Sequence, residues 1–138
     1  MSKLKYVSVH ELEFNDAEIM QLIKDDDREA LLLLPMKLGF CHESWRFIQD
    51  VCKTLSEHPD ETIRANSFYG FQYTAMNLGR LEKNIIKPIL LRGLKDESSL
   101  VREQAQYSIE EINRFMNWRI ASAKMNKEKE RKYYQKFQ

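Results

Sequence analysis

The sequence predicts an all-α protein folded as a short right-handed α-α superhelix, a solenoid built from pairs of helices. Apolar residues recur at i, i+3, i+4 and i+7 from Ile19 to Phe115, which places them on one face of each successive helix. Only four glycines and three prolines interrupt the 138 residues. Two stretches of the chain also align with each other at a period near 40 residues, as stacked helical repeats do.

Composition indicates a single globular domain, because 43% of the residues are hydrophobic and 31% are charged. No run approaches the roughly 18 apolar residues of a bilayer helix, and the first residues lack the apolar stretch of a signal peptide. The only two cysteines, Cys41 and Cys52, fit a reducing compartment. We therefore expect a cytoplasmic protein that does not enter a membrane.

Capping residues place the first two helices. Asn15 followed by Glu18 is a capping-box pattern and predicts a helix over about 16–24. The run Asp25-Asp26-Asp27 suits the N-terminus of the second helix, because carboxylates accept its free N–H groups. Gly39 is expected to end this helix in the left-handed conformation.

Four more helices follow at similar spacing. The third begins near Ser44 and stops at His58-Pro59, and the fourth runs from Asp60 toward Met76. The fifth covers about 81–94, and the sixth begins near Ser98 or Ser99. Gly70 lies inside the fourth helix, where it costs about 1 kcal/mol relative to alanine, so a close helix approach should require it.

The third and fourth helices repeat as the fifth and sixth. With a shift of 38 residues, Ile63-Arg64 falls on Val101-Arg102 and Tyr69 falls on Tyr107. Residues 55–65 and 90–105 share an apolar helix end, an acidic turn and Ile/Val-Arg opening the next helix, a pattern that resembles HEAT repeats. The resemblance implies units over about 15–40, 43–77 and 80–117, with the second helix of each unit lining a concave face. We expect an N-terminal arm (1–14), either extended or with a short helix capped by Ser8, and a basic helical tail (119–138) on the two sides of the repeat domain (15–118). We expect Arg64 to pair with Asp60 one helical turn earlier.

The net charge of +1 hides an asymmetry. Residues 1–69 hold 8 basic and 13 acidic side chains, whereas residues 70–138 hold 14 and 8. Charge runs usually form solvated faces, but they also attract partners of opposite charge. The acidic candidates for steering a basic partner are Asp25, Asp26, Asp27, Glu29, Asp60 and Glu61.

The sequence offers no catalytic, metal or cofactor motif. His42-Glu43 begins like a zinc-protease helix, but Arg46 stands where the second histidine ligand is needed. The four glycines are too scattered for a phosphate-binding loop. We therefore expect a protein that is not an enzyme and holds neither a cofactor nor a metal.

The second helices of the repeats carry the candidate binding residues. Aromatic and arginine side chains are what the centres of protein interfaces use. Outside the apolar stripes, the candidates are Tyr69, Gln72, Tyr73, Tyr107, Glu111, Arg114 and Trp118. The alternative interpretation is that Tyr69 and Tyr107 pack between repeats as a ladder.

Three functions are compatible with these patterns. Small single-domain proteins of this sort resemble the immunity proteins of bacterial toxin systems, including contact-dependent growth inhibition, and the resemblance implies an inhibitor that binds a cognate nuclease. The second hypothesis is a scaffold or adaptor subunit. The third is a nucleic-acid binder similar to HEAT-like repair glycosylases, and the near-neutral net charge of the chain argues against it.

Overall fold

The computed structural model describes residues 12–121, and this part of the chain folds into six α-helices without a β-strand. The helices are α1 (Asp16–Lys24), α2 (Arg28–Cys41), α3 (Trp45–Leu55), α4 (Glu61–Leu78), α5 (Lys83–Gly93) and α6 (Ser99–Met116). The predicted all-α class is confirmed for these residues. Most of the predicted N-terminal arm and of the basic tail lies outside them.

Side-chain caps start the helices where the sequence predicts them. The amide of Glu18 donates to Asn15 at 2.8 Å and the amide of Asn15 donates back to Glu18 at 3.2 Å, which completes the capping box of α1. Asp27 caps α2, Ser44 caps α3 and Asp60 caps α4. Local sequence alone therefore fixes these helix starts.

Ser98 is the N-cap of α6, which begins at Ser99, and the Ser98 hydroxyl accepts from the amide of Val101. Helix α5 lacks a side-chain cap of its own. The fully buried Gln49 of α3 instead accepts from the amide of Glu82 at 2.8 Å and donates to the carboxylate of Glu82 at 3.0 Å. A long-range contact thus holds the N-terminus of α5.

Two predicted helix ends are wrong. Gly39 lies inside α2, which continues to Cys41, because at this glycine α2 lies directly against Tyr73 of α4. The tail was expected to continue the sixth helix, but α6 ends at Asn117 in a left-handed conformation. The chain then folds back so that the side-chain amide (Nδ2) of Asn113 donates to the carbonyl of Ile120 at 2.9 Å.

Helices α2, α4 and α6 pack side by side in that order, while α3 packs on α4 and α5 on α6. The predicted core stripes of α4 and α6 are buried, with Ile63 and Phe71 in α4 and Ile109 and Ile112 in α6. The close approach expected at Gly70 is confirmed, because a Cβ there would overlap the Cys52 sulfur and meet Pro35 at 3.2 Å. Among the described residues, this packing leaves Met76 of α4 and Tyr107 of α6 exposed.

Candidate protein-binding surface

A row of large side chains runs along α4 and onto α6. Tyr69, Tyr73 and Met76 lie on one face of α4 at i, i+4 and i+7, and Tyr107 of α6 is the residue equivalent to Tyr69. We call these four side chains the apolar row. Met76 is 40% exposed and Tyr107 is 52% exposed, so the row presents apolar surface to solvent.

The middle of the row is held in place by α2. Tyr73 lies against Phe40, with ring centroids 4.3 Å apart, and stacks on Tyr69 at 5.9 Å with an interplanar angle of 17°. Burial, with smaller contributions from Tyr69 and Tyr107, raises the pKa of Tyr73. Its phenol is therefore protonated and neutral at physiological pH.

The structure does not bring all predicted row residues to this surface. Gln72 is only 6% exposed, and it accepts a hydrogen bond from the Ser108 hydroxyl at 3.0 Å between α4 and α6. Its assignment to the exposed row is wrong, because its position on α4 faces α6. Tyr69 packs on Tyr73, its neighbour along α4, while its repeat equivalent Tyr107 is more than half exposed.

The α6 candidates beyond Tyr107 lie near the end of that helix. Arg114 lies 3.7 Å from Glu111, one turn earlier in α6. Trp118 contacts Lys83 at the start of α5, with the ammonium 5.8 Å from the indole centroid. Trp118 therefore lies beside the start of α5, 11 residues after Tyr107 in the sequence.

Several of the predicted acidic residues are used within the fold. Asp60 accepts from the Arg28 guanidinium at 2.7 Å and from the amides of Thr62 and Ile63, and the Arg28 hydrogen bond lowers the pKa of this carboxyl. Asp26 contacts His58. Asp25 accepts from Gln21 and Asp27 caps α2, whereas Glu29 and Glu61 are exposed.

Arg64 does not form the predicted pair with Asp60. Its guanidinium instead donates twice to Asp96 of the following helix pair, at 3.1 Å from Nε and 2.9 Å from Nη2. The reason is that Asp60 is already occupied by the α4 amides and by Arg28. Arg28 with Asp60 and Arg64 with Asp96 each join one helix pair to the next.

The backbone contacts of this motif also repeat. Nη1 of Arg64 donates to the carbonyls of His58 and Pro59 at 3.1 and 2.9 Å. Nη1 of Arg102 donates to the carbonyls of Asp96 and Glu97 at 2.7 and 3.0 Å. Because each arginine bonds the carbonyls six and five residues earlier, the repeat seen in the sequence is also a repeat of contacts.

The histidines before α3 and α4 have structural partners. Nδ1 of His42 accepts from the amide of Ser44 at 3.0 Å, and Nε2 lies 2.7 Å from Asp16. Nδ1 of His58 accepts in the same way from the amide of Asp60 at 2.9 Å. Within residues 12–121, no group of histidine, cysteine and acidic side chains could hold a metal ion.

The buried cysteine of α3, Cys52, is a free thiol. Cys52 is fully buried in the core, and this burial raises its pKa. Its role is core packing, because its sulfur lies against Gly70 of α4.

Sequence reasoning missed a second surface feature at the start of α3. Trp45 is only partly buried and has the guanidiniums of Arg46 and Arg80 over its ring. Arg46 is adjacent in sequence, but Arg80 follows α4, so no local pattern could have shown the second contact.

Comparison with known proteins gives one match. Residues 86–116, which span most of α5 and α6, match the family model for the HEAT repeat. No curated protein and no solved structure matches the chain. The match supports a HEAT-like repeat and, with it, the protein-interaction or scaffold role of such repeats. Among the described helices, none is long and apolar enough to cross a bilayer.

Proposed function

We propose that this protein is a non-catalytic protein-binding module, a short right-handed α-α solenoid whose partner docks on the apolar row. The observation that carries the proposal is the exposure of Met76 and Tyr107 beside the packed rings of Tyr69 and Tyr73. Tyrosine is enriched at the energetic centres of protein interfaces because it buries a large area and still offers a hydroxyl.

The row is suited to binding because it is already ordered. Phe40 and the Gly39 backbone hold Tyr73, which in turn stacks on Tyr69. A surface fixed before a partner arrives loses little side-chain entropy on binding, so more of the contact energy appears as affinity.

The row itself offers phenol, thioether and aromatic groups, without a general acid and base placed together. The two described histidines are engaged by acidic side chains and backbone amides. The proposal is therefore stoichiometric binding without turnover.

Within this role we propose an inhibitor that neutralises a basic toxin such as a nuclease in the cytoplasm. Acidic side chains support it, because Glu29 and Glu61 are exposed near the starts of α2 and α4. Complementary charge would speed encounter with a basic target.

Affinity capture from the native lysate tests the row. Tyr107→Glu places a charge in the row, whereas Gln106→Glu adds the same charge to an exposed position one residue away on α6. We expect a partner protein that the wild type and Gln106→Glu retain and that Tyr107→Glu loses. Circular dichroism should show that both variants keep the helical content of the wild type.

Equal retention of the partner by all three proteins would remove the row as its docking site. Capture of nucleic acid without protein, or multiple turnover of a substrate, would overturn the binding-module proposal itself.

A further inference from the structure

Five residues at one edge of the molecule form a second surface, apart from the apolar row. They lie where α3 and α5 begin, where α4 and α5 connect, and just after α6 ends. We call this surface the loop edge, and it consists of Trp45, Arg46, Arg80, Lys83 and Trp118.

The cations of the loop edge lie on aromatic rings. The guanidinium carbons of Arg46 and Arg80 are 5.0 and 5.7 Å from the Trp45 centroid, and the Lys83 ammonium is 5.8 Å from that of Trp118. All three of these cationic residues are exposed. Such pairs contribute about 0.5–1 kcal/mol at exposed sites, which helps to hold each cation near its ring.

The cations at the opposite edge have different partners. At the turns within the helix pairs, arginines form ion pairs with carboxylates: Arg28 with Asp60, Arg64 with Asp96 and Arg92 with Glu57. Among the described residues, Arg46, Arg80 and Lys83 have no carboxylate within ion-pair distance. Within the described residues, the cations of the loop edge are therefore not held in ion pairs, although the Glu82 carboxylate lies nearby on Gln49.

We propose that the loop edge binds an acidic segment of a partner protein. A guanidinium lying over an indole keeps its N–H groups at its own edge, where they match the two oxygens of a carboxylate. Arg46 and Arg80 beside one ring thus offer two guanidiniums that can each bind a carboxylate in this way, and Lys83 beside Trp118 offers a further cation.

Charge and stacking favour an acidic peptide over a nucleic acid. Single-stranded nucleic acids bind by stacking bases on open aromatic faces, but here guanidiniums already lie over the Trp45 ring. The chain has a net charge of only +1, and Glu43 is exposed directly before the start of α3. This is a smaller positive footprint than nucleic-acid binding normally uses.

Intrinsic fluorescence reports on this surface directly, because the two tryptophans of the chain are Trp45 and Trp118. The probe is a synthetic peptide of alternating glutamate and glycine, about a dozen residues long, titrated into the full-length protein at low salt. We expect a saturable change in tryptophan emission that weakens as salt rises.

Variants locate the binding. Arg46→Gln combined with Arg80→Gln should weaken peptide binding at least about fivefold. The matched control, Arg92→Gln combined with Lys95→Gln, removes two exposed cations from the opposite edge and should stay within about twofold of the wild type. Tyr107→Glu should also bind the peptide normally, so this test and that of the apolar row can fail separately.

Three results would overturn the proposal. They are an unchanged emission at millimolar peptide, equal weakening by the control pair, and a response to oligothymidylate at lower concentration than to the peptide. Arg46→Lys combined with Arg80→Lys keeps both positive charges but removes the guanidiniums that bind a carboxylate through two N–H groups. The peptide affinity of this variant should therefore lie between those of the wild type and the glutamine variant.

Discussion

Gly39 sets how closely α2 approaches α4. A Cβ at this position would lie 2.6 Å from the Cβ of Tyr73, which is inside van der Waals contact. The sequence shows a glycine near the end of an apolar run, and a helix cap is the ordinary interpretation of that pattern. Only the position of Tyr73, 34 residues later in the numbering, reveals the packing role.

We predict that Gly39→Ala destabilises the protein. Helix propensity alone would favour alanine by about 1 kcal/mol, but the overlap with Tyr73 should outweigh that gain and leave a net loss of about 1–3 kcal/mol. Urea unfolding followed by circular dichroism measures the change. A midpoint above that of the wild type would show that α2 and α4 can separate without cost.

The N-cap of α6 gives a second prediction at the residue scale. Ser98→Ala removes the hydroxyl that accepts from the Val101 amide and should lower the free energy of unfolding by about 1 kcal/mol. Ser99→Ala, at the exposed first position of the helix, is the control and should change it by less than about 0.5 kcal/mol. Thermal or urea denaturation of both variants measures the change in stability. A larger loss of stability for Ser99→Ala than for Ser98→Ala would show that Ser99, and not Ser98, is the N-cap.

Local signals were sufficient to predict the helices themselves. Asn15, Ser44 and Asp60 cap the helices that their positions predict, because a cap depends on residues within one turn. The apolar stripes of α4 and α6 were likewise predictable, since burial follows the helical period.

Contacts between helices were not predictable in the same way. Asp60 and Arg64 have the spacing of an ion pair, yet each bonds a residue from a different helix pair. Gln72 lies between Tyr69 and Tyr73 in the sequence of α4, and only the position of α6 shows that it is buried. Sequence reasoning therefore placed part of the apolar row and missed the loop edge, where Arg80 reaches Trp45.

The bridge between helix pairs makes stability depend on pH. The hydrogen bond from Arg64 holds the pKa of Asp96 below its usual value, so the folded state keeps this carboxylate ionised at lower pH than the unfolded state does. Its stabilising contribution is complete above the unfolded pKa of about 3.9 and is lost as pH falls through the lower folded value.

We predict that Asp96→Asn reduces the acid-induced loss of stability. Urea midpoints measured from pH 7 down to about pH 3 should fall less steeply in the variant, although Asp60 contributes a similar loss of its own. Arg64→Gln should flatten the same part of the curve, because it removes the main cause of the lowered pKa of Asp96. Parallel curves for the wild type and both variants would contradict this assignment.

The whole molecule presents chemically different surfaces on different sides. The apolar row lies on one face of α4 and α6, cations on indole rings lie at the loop edge, and ion-paired carboxylates lie at the turns within the helix pairs. Because these surfaces lie apart, each can attract a different chemical group of a partner.

The acidic residues divide into two groups that charge reversal should separate. Asp60→Lys breaks the cap of α4 and the bridge to Arg28, so we predict a loss of stability in denaturation experiments before any effect on binding. Glu29→Lys and Glu61→Lys alter exposed residues in the first turns of α2 and α4 and should cost less than Asp60→Lys, up to about 1 kcal/mol each from the helix dipole. If the partner captured through the apolar row is a basic toxin, these two variants should bind it with a slower association rate. Surface plasmon resonance should show a stronger slowing at low salt than at high salt, because exposed charges are screened beyond about 10 Å at 0.1 M salt. Association rates that are independent of both substitutions and of salt would exclude acidic steering and, with it, the inhibitor of a basic target.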